Sequence, residues 1–213
     1  MNLLSVNRSL PRTVEWQGQS VSTGIFKIPA SGQVTVNVVG LYDDGQADLS
    51  VHGGPDKAVY LFPHEHYAYF ADLLHRPAKD LPYGQFGENL STIGLFENEV
   101  MIGDRFRIGG QLELEVSHPR VPCFKLGIIL QAPQILHPFL KSLKTGFYLR
   151  VIETGSIQAG DEIVQSHREK NSLSVADITR LRYFDKDHHD DRQKAAKLPA
   201  LPQSWQEHFS RMH

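Results

Sequence analysis

The chain has 213 residues, of which 40% are hydrophobic and 22% are charged. This composition is typical of a globular protein and excludes disorder or a coiled coil as a description of the whole chain. A net charge of −2 argues against binding of duplex nucleic acid, and the one cysteine excludes an internal disulfide and a multi-cysteine zinc site. No apolar run approaches the roughly 20 residues of a membrane helix, and no signal peptide is recognisable, so we expect a cytoplasmic protein that does not enter membranes.

Short strands separated by glycine-rich turns are predicted for the first two thirds of the chain. Residues 34–38, 112–116 and 147–151 alternate apolar and polar side chains, which is typical of half-buried strands. Many short strands of this kind indicate a barrel or a sandwich. A helix with Pro63 in its first turn is predicted to continue to Leu74, and a second short helix is predicted near residues 133–143.

The C-terminal part of the chain has a helical pattern. Ser174 is a favourable N-cap, and Val175, Ile178 and Leu181 follow it at helical spacing. We therefore predict a β-rich domain over residues 1–168 and a small helical domain over residues 169–213. A unit of roughly 40 residues seldom folds alone, so we expect the helices to dock on the β-rich domain, near the mouth of its pocket.

The single cysteine, Cys123, lies in residues 119–125 (PRVPCFK), directly after a predicted strand. The two prolines end the regular strand pairing and stiffen the loop. If the chain is extended beyond Pro122, Cys123 and Lys125 point to the same side. Cationic neighbours favour a thiolate, so Cys123 is a candidate ligand or nucleophile; the alternative is a buried cysteine that acts as a small hydrophobic residue.

A second candidate site lies in residues 52–57 (HGGPDK). Gly53 and Gly54 allow positive φ angles and a close approach of the backbone to a ligand, and the amides of such a turn can bind an anion. Lys57 would add a point charge for a phosphate. The spacing matches neither a Walker motif nor a dinucleotide fingerprint, and the alternative is an ordinary turn.

Glu88 and Asn89 form a third candidate, because they follow Gly87 and precede an apolar strand. An amide can hydrogen-bond the edge of a heterocycle, and a carboxylate can accept from an amino group; the alternative is a solvated strand entrance. His188 and His189 precede two aspartates, but a solvated helix face is the favoured interpretation of that run.

Taken in order, these segments resemble a MOSC domain, the type found at the C-terminus of molybdenum cofactor sulfurases. The matching segments are 52–59 (HGGPDKAV), 86–90 (FGENL), 102–104 (IGD) and 119–127 (PRVPCFKLG). The chain most resembles the YiiM branch, whose C-terminal three-helix domain is similar to the region after Asn171. The resemblance covers nearly the whole chain. It implies a mainly β fold with helices (α+β), in which a β-barrel carries a small C-terminal helical domain.

The resemblance also implies a function. A molybdenum–pterin cofactor would lie in a pocket of the barrel, with molybdenum bound by Cys123, a soft sulfur ligand of the kind this metal requires. The protein would reduce N-hydroxylated compounds such as N-hydroxylaminopurine base analogues, a detoxification reaction. No flavin, nicotinamide or iron–sulfur signature is present, so electrons would come from a separate flavoprotein reductase. The residues predicted to contact the cofactor are His52, Gly53, Gly54, Lys57, Glu88, Asn89, Arg120, Cys123, Lys125 and Arg150.

Two other classes of function remain open from the residues alone. Cys123 could be the nucleophile of a hydrolase or transferase with His52 or His118 as its base, or it could carry a persulfide in sulfur transfer. The protein could also be a noncatalytic module that binds a cofactor or a partner.

Overall fold

The computed structural model describes residues 1–47 and 53–211, and these residues form thirteen strands and six α-helices. The strands are β1 (Asn2–Arg8), β2 (Arg12–Trp16), β3 (Gln19–Thr23), β4 (Ile28–Pro29), β5 (Val34–Asn37), β6 (Gly40–Leu41), β7 (Val59–Pro63), β8 (Leu90–Ile93), β9 (Arg105–Ile108), β10 (Leu112–Pro119), β11 (Phe147–Glu153), β12 (Gly155–Ile157) and β13 (Ile163–His167). The helices are α1 (His66–Leu73), α2 (Phe124–Leu130), α3 (Leu136–Lys141), α4 (Val175–Tyr183), α5 (His189–Ala195) and α6 (Gln203–Ser210).

Eight strands form the main sheet in the order β13-β9-β10-β11-β7-β8-β1-β4. All neighbours are antiparallel except β7 and β8, which run parallel. The sheet curls so that β1 meets the segment that leads into β13. The amide of Leu3 donates to the carbonyl of Asp161 at 3.0 Å, and the amide of Ile163 donates to the carbonyl of Met1 at 2.9 Å. The smaller sheets are β12-β5-β6 and the hairpin β2-β3.

The three alternating segments are strands, as predicted: they correspond to β5, β10 and β11. The predicted helix after Pro63 begins later than expected. Pro63 ends β7 and pairs with Thr92 of β8, and the amide of His64 donates to the carbonyl of Thr92 at 2.8 Å. Because strand pairing continues past the proline, the helix begins only at His66. The predicted helix near residues 133–143 is a 3-10 turn (Pro133–Ile135) followed by α3.

The C-terminal helices dock on the main sheet. Ser174 caps α4, because its hydroxyl accepts from the amide of Asp177 at 3.0 Å and its amide donates to the Asp177 carboxylate at 3.3 Å. Val175 of α4 and Trp205 of α6 are buried in the same hydrophobic cluster as the interior residues of β10. The predicted α+β class with a C-terminal helical region is therefore confirmed, while the domain boundary at residue 168 stays a prediction.

A second buried cluster, rich in aromatic side chains, packs under α1, α2 and α3. Leu126 and Leu130 of α2 are buried in it together with Phe62 and Phe139. This cluster fixes α2 and therefore the backbone just before it, where Cys123 lies. Nowhere in the described ranges is there a helix whose length and apolarity would let it cross a membrane.

Candidate functional site

A cleft opens beside Cys123 between β7, β11 and the loops around residues 23–27 and 45–47. Five of the residues predicted from the sequence line it: Lys57, Asn89, Arg120, Cys123 and Lys125. The remaining described lining residues are Thr23, Gly24, Ile25, Lys27, Gly45, Gln46, Ala47, Tyr60, Gly87, Val121 and Tyr148. The cleft thus brings together one thiol and four cationic side chains, which suits an anionic ligand.

Cys123 stands at the transition from the β10 loop to α2. Its backbone is extended, with φ −117° and ψ 171°, and its carbonyl accepts from the amide of Leu126 at 2.9 Å. The side chain is half-buried. An extended chain beyond Pro122 would place Cys123 and Lys125 on the same side. Instead, α2 begins at Phe124, and Cys123 and Lys125 both line the cleft. The thiol is therefore held on a fixed backbone beside a cation.

Arg120 is the most constrained cation of the cleft. Its side chain is buried, and the guanidinium lies 5.1 Å from the ring centroid of Tyr60 and 5.4 Å from that of Phe139. The Nη1 atom is buried and has no hydrogen-bond partner among the described residues. Leaving a buried donor unsatisfied costs about 1–3 kcal/mol, and more when the group is charged. A guanidinium that faces a cleft in this state is suited to an anion that the cleft binds.

Lys27 is a cleft residue that the sequence analysis missed. Its ammonium forms a buried ion pair with Asp44, and burial lowers the pKa of Lys27 while Asp44 opposes that shift. The Asp44 carboxylate also accepts from the amide of Ser9 at 2.9 Å and from Asn89 Nδ2 at 3.0 Å. Nothing in the local sequence marks Lys27, because its position on the cleft depends on the packing of distant segments.

Lys57 closes the 3-10 turn Pro55–Lys57 and is half-buried, and this burial lowers its pKa. The backbone of Gly54 has φ +100°, the left-handed region that the glycine pair was expected to permit. Gly53 and Gly54 are not among the described residues that line the cleft. His52 lies outside the described residues.

The structure uses Glu88 for a local purpose rather than to face the cleft. Its buried carboxylate accepts from the amides of Gly84 at 2.8 Å and Phe86 at 3.0 Å, and from the hydroxyls of Tyr67 and Ser91. Because four donors already bond to its two oxygens, the carboxylate has no free acceptor position for a ligand. Glu88 holds the turn before β8, and it is not among the described lining residues.

Asn89 lines the cleft, but its side chain already has partners. Its Oδ1 accepts from the amide of Tyr60 at 3.1 Å, and its Nδ2 donates to the carbonyl of Asn7 at 3.3 Å and to Asp44 at 3.0 Å. Asn89 therefore ties β7, β1 and the Asp44 loop together at the cleft wall. Its predicted contact with a heterocycle has no support in this hydrogen-bond network.

Arg150 does not line this cleft, contrary to the prediction. Its guanidinium donates to the Asp56 carboxylate at 2.6 Å, to the Glu115 carboxylate at 2.8 Å and to the carbonyl of Ala200 at 2.8 Å. The carboxylates of Asp56 and Glu115 neutralise the guanidinium of Arg150, which the sequence analysis predicted to contact the cofactor. Arg150 instead joins the Lys57 turn, β10 and the C-terminal helices.

The histidines do not contribute to the cleft within the described residues. His118 is buried between the rings of Tyr148 and Trp205, with Nδ1 2.8 Å from the carbonyl of Pro119. It is thus not placed as a base for Cys123. His188 is exposed and lies 3.2 Å from Asp185, and His189 is also exposed. No group of three or more His, Cys, Asp or Glu side chains able to hold a metal ion occurs within residues 1–47 and 53–211.

The C-terminal helices were expected near the mouth of the pocket. They pack on the sheet, but none of the described cleft-lining residues belongs to them. Their contacts with the cleft are indirect and pass through His118 and Arg150.

The fold and the cleft define an α+β protein in which a curled sheet presents one thiol among several cations. Comparison with known proteins places this class in a family. Residues 48–164 match the MOSC domain, and residues 173–212 match the YiiM-like, 3-alpha helix domain. The chain therefore belongs to the MOSC domain family, in the YiiM-like branch that carries the C-terminal three-helix domain.

The relatives agree with this assignment. The chain is 38% identical to the uncharacterised protein YflK of Bacillus subtilis (strain 168) over 98% of its own length and 92% of that protein's length. It is 34% identical to a protein named "Reductase" of Gibberella moniliformis over 77% of its own length but only 29% of that larger protein. The crystal structure of YiiM from Geobacillus stearothermophilus superposes with a TM-score of 0.82 at 32% identity, covering 99% of this chain and 98% of that one.

Proposed function

We propose that the protein is a molybdenum-cofactor-dependent reductase of N-hydroxylated compounds such as N-hydroxylaminopurine base analogues. The observation that carries the proposal is the convergence on one cleft of Cys123 and the cations Lys57, Arg120 and Lys125. Membership of the MOSC family and the fungal relative named "Reductase" support it.

The residues present fit the pterin cofactor. Cys123 supplies the single thiolate, a soft ligand that suits molybdenum. The unsatisfied Nη1 of Arg120 offers a charge-assisted hydrogen bond to the pterin phosphate, and Lys57 and Lys125 add positive charge on the same wall. When it is bound, the cofactor supplies the two-electron redox chemistry of the reaction.

The reaction consumes two electrons and two protons. A hydroxylamine R–NHOH becomes an amine R–NH2 and water, with cleavage of the N–O bond. The chain's own part is to hold the cofactor, orient the substrate and restrict water. Tyr148 is half-buried and lines the cleft, where its ring can contact a flat purine.

The electrons would come from a separate flavoprotein reductase. Val121 and Phe124 flank Cys123 and are 40% and 50% exposed, so an apolar rim lies next to the thiol. Exposed apolar side chains grouped in this way can form part of a surface on which a donor protein docks. The cytoplasm, which we propose as the compartment, would keep Cys123 reduced.

The test is metal and activity analysis of protein made in a host that synthesises the molybdenum cofactor. We expect stoichiometric molybdenum and pterin, and reduction of 6-N-hydroxylaminopurine with chemically reduced viologen as donor. Cys123→Ser should lose both molybdenum and activity while unfolding at the same urea concentration. Ser204→Ala, an exposed change on α6, serves as the matched control.

Two outcomes would favour the other classes of function. Protein without molybdenum from such a host, combined with fast alkylation of Cys123 and transfer of a persulfide, would indicate a sulfur carrier. Bound cofactor without any turnover of N-hydroxylated compounds would indicate a noncatalytic binding module.

A further inference from the structure

Two contact paths, each a series of residues in contact, connect the C-terminal helices to the walls of the cleft. The first begins at Trp205 of α6, whose ring centroid lies 5.2 Å from that of His118 on β10. His118 in turn lies 5.1 Å from Tyr148, its register partner on β11. Tyr148 lines the cleft and lies within electrostatic range of both Arg120 and Cys123. The helix is therefore linked by three packed rings to the surroundings of the thiol.

The second contact path begins at the carbonyl of Ala200, between α5 and α6. It accepts from Arg150 Nη2 at 2.8 Å, and the same nitrogen donates to Asp56 Oδ1 at 2.6 Å. Asp56 precedes Lys57, the cleft residue of the 3-10 turn. Because Arg150 bonds the helical region and the turn at once, the position of the turn depends on the position of the helices.

The two contact paths meet at the sheet. The hydroxyl of Ser117, the residue before His118, lies 2.6 Å from the carbonyl oxygen of Asp56 and 3.0 Å from that of Tyr148, so its one hydrogen can be shared between them. A domain that only stabilised the sheet could make its contacts on any part of the outer surface. Here the first path ends on a residue that lines the cleft, and the second ends on a residue that directly precedes a lining residue.

We propose that Trp205 and Arg150 are positioning residues, through which the C-terminal helices set the arrangement of Tyr148, Lys57 and Cys123 in the cleft. This inference does not depend on which ligand the cleft binds. The helices act on the cleft without lining it, and the device is built from packed rings and a guanidinium that bonds to three partners.

The chain's single cysteine makes a direct test possible, because any alkylation signal reports on Cys123 alone. The rate of reaction with iodoacetamide would be measured across pH 6 to 10 on the full-length protein, produced in a host that does not make the molybdenum cofactor so that no metal occupies the thiol. Its midpoint reports the electrostatic surroundings of the thiol, and its limiting rate reports access to it. Trp205→Ala and Arg150→Met should each shift the midpoint by at least half a pH unit or change the limiting rate at least threefold.

The controls separate positioning from general stability. Phe209→Ala removes another buried ring from the same helix, one that has no ring contact with His118 among the described residues, so its profile should match the wild type. Trp205→Phe should restore the wild-type profile, because it keeps an aromatic ring against His118. If Trp205→Ala does not fold, Arg150→Lys tests the second path, since a lysine has one nitrogen in place of the two with which Arg150 reaches Glu115 on one side and Asp56 and Ala200 on the other. Unchanged profiles in the folded Trp205 and Arg150 variants, or an equal shift in Phe209→Ala, would overturn the proposal.

Discussion

His118 and Trp205 pack ring against ring, with an interplanar angle of 32°, where the C-terminal helices meet β10. Both side chains are buried, at 3% and 6% exposure. A histidine in such a position is neutral, because a charged imidazolium would lose its hydration between two aromatic rings. We therefore expect docking of the helices to be sensitive to pH.

Burial lowers the pKa of His118 to about 4, below its ordinary value of about 6.5. As the pH falls from 6.5 towards 4, the unfolded state therefore binds a proton that the folded state does not, and stability decreases. The wild type should lose about 2 kcal/mol of unfolding free energy from this group between pH 7.5 and pH 5. His118→Phe keeps a ring and should lack this loss, as urea unfolding at the two pH values would show. Equal acid sensitivity of the two proteins would contradict the assignment, since all other histidines are shared.

Replacing cations of the cleft should lower cofactor occupancy by different routes. Each charge-assisted hydrogen bond to phosphate is worth about 1.5–3 kcal/mol, so Lys57→Met or Arg120→Gln should weaken binding by roughly 10- to 150-fold. Arg120→Gln should also reduce stability, because the buried guanidinium packs on Tyr60 and Phe139.

Molybdenum per chain and the urea midpoint separate these effects. The exposed Lys79→Met is the matched control for Lys57→Met and should change neither quantity. Full molybdenum occupancy in both cleft variants would show that the phosphate binds elsewhere.

Glu88→Gln should destabilise the fold without touching the thiol. The amide nitrogen of Gln would face one of the donors that the carboxylate now satisfies, at Gly84 and Phe86 among others, and leave it unpaired in the interior. The expected loss is about 1–3 kcal/mol in urea unfolding. The pH profile of Cys123 alkylation should stay as in the wild type, and a variant of unchanged stability would mean that Glu88 does not hold this turn.

The ion pair of Lys27 and Asp44 should show strong coupling in a double-mutant cycle. Asp44→Asn alone leaves the buried ammonium without its counter-ion, for which we expect a loss of about 3–5 kcal/mol. Adding Lys27→Met removes that buried charge and should recover part of the loss. Unfolding free energies of the four proteins give the coupling, and simple additivity of the two changes would argue against a buried pair.

Features that depend on near neighbours along the chain could be predicted from the sequence alone. Alternation of side chains located β5, β10 and β11, and the Ser174 cap located the start of α4. Cys123 follows β10 in a short loop, as predicted, but only Pro122 lies in that loop, because Pro119 still pairs with Phe147 as the last residue of β10. Each of these features follows from backbone geometry and local hydrogen bonding, which a few consecutive residues fix.

Which charged groups face the cleft depends on the tertiary structure and could not be predicted from the sequence. In the sequence, Arg150 lies in a predicted strand and Lys27 lies outside every predicted element, yet Lys27 lines the cleft while Asp56 and Glu115 hold Arg150 outside it. Glu88 was predicted to contact the cofactor, but in the fold its carboxylate accepts hydrogen bonds from four donors of the protein itself. The physical reason is that charges and hydrogen bonds are satisfied by spatial neighbours, and those neighbours depend on strand register, sheet curvature and the docking of distant segments.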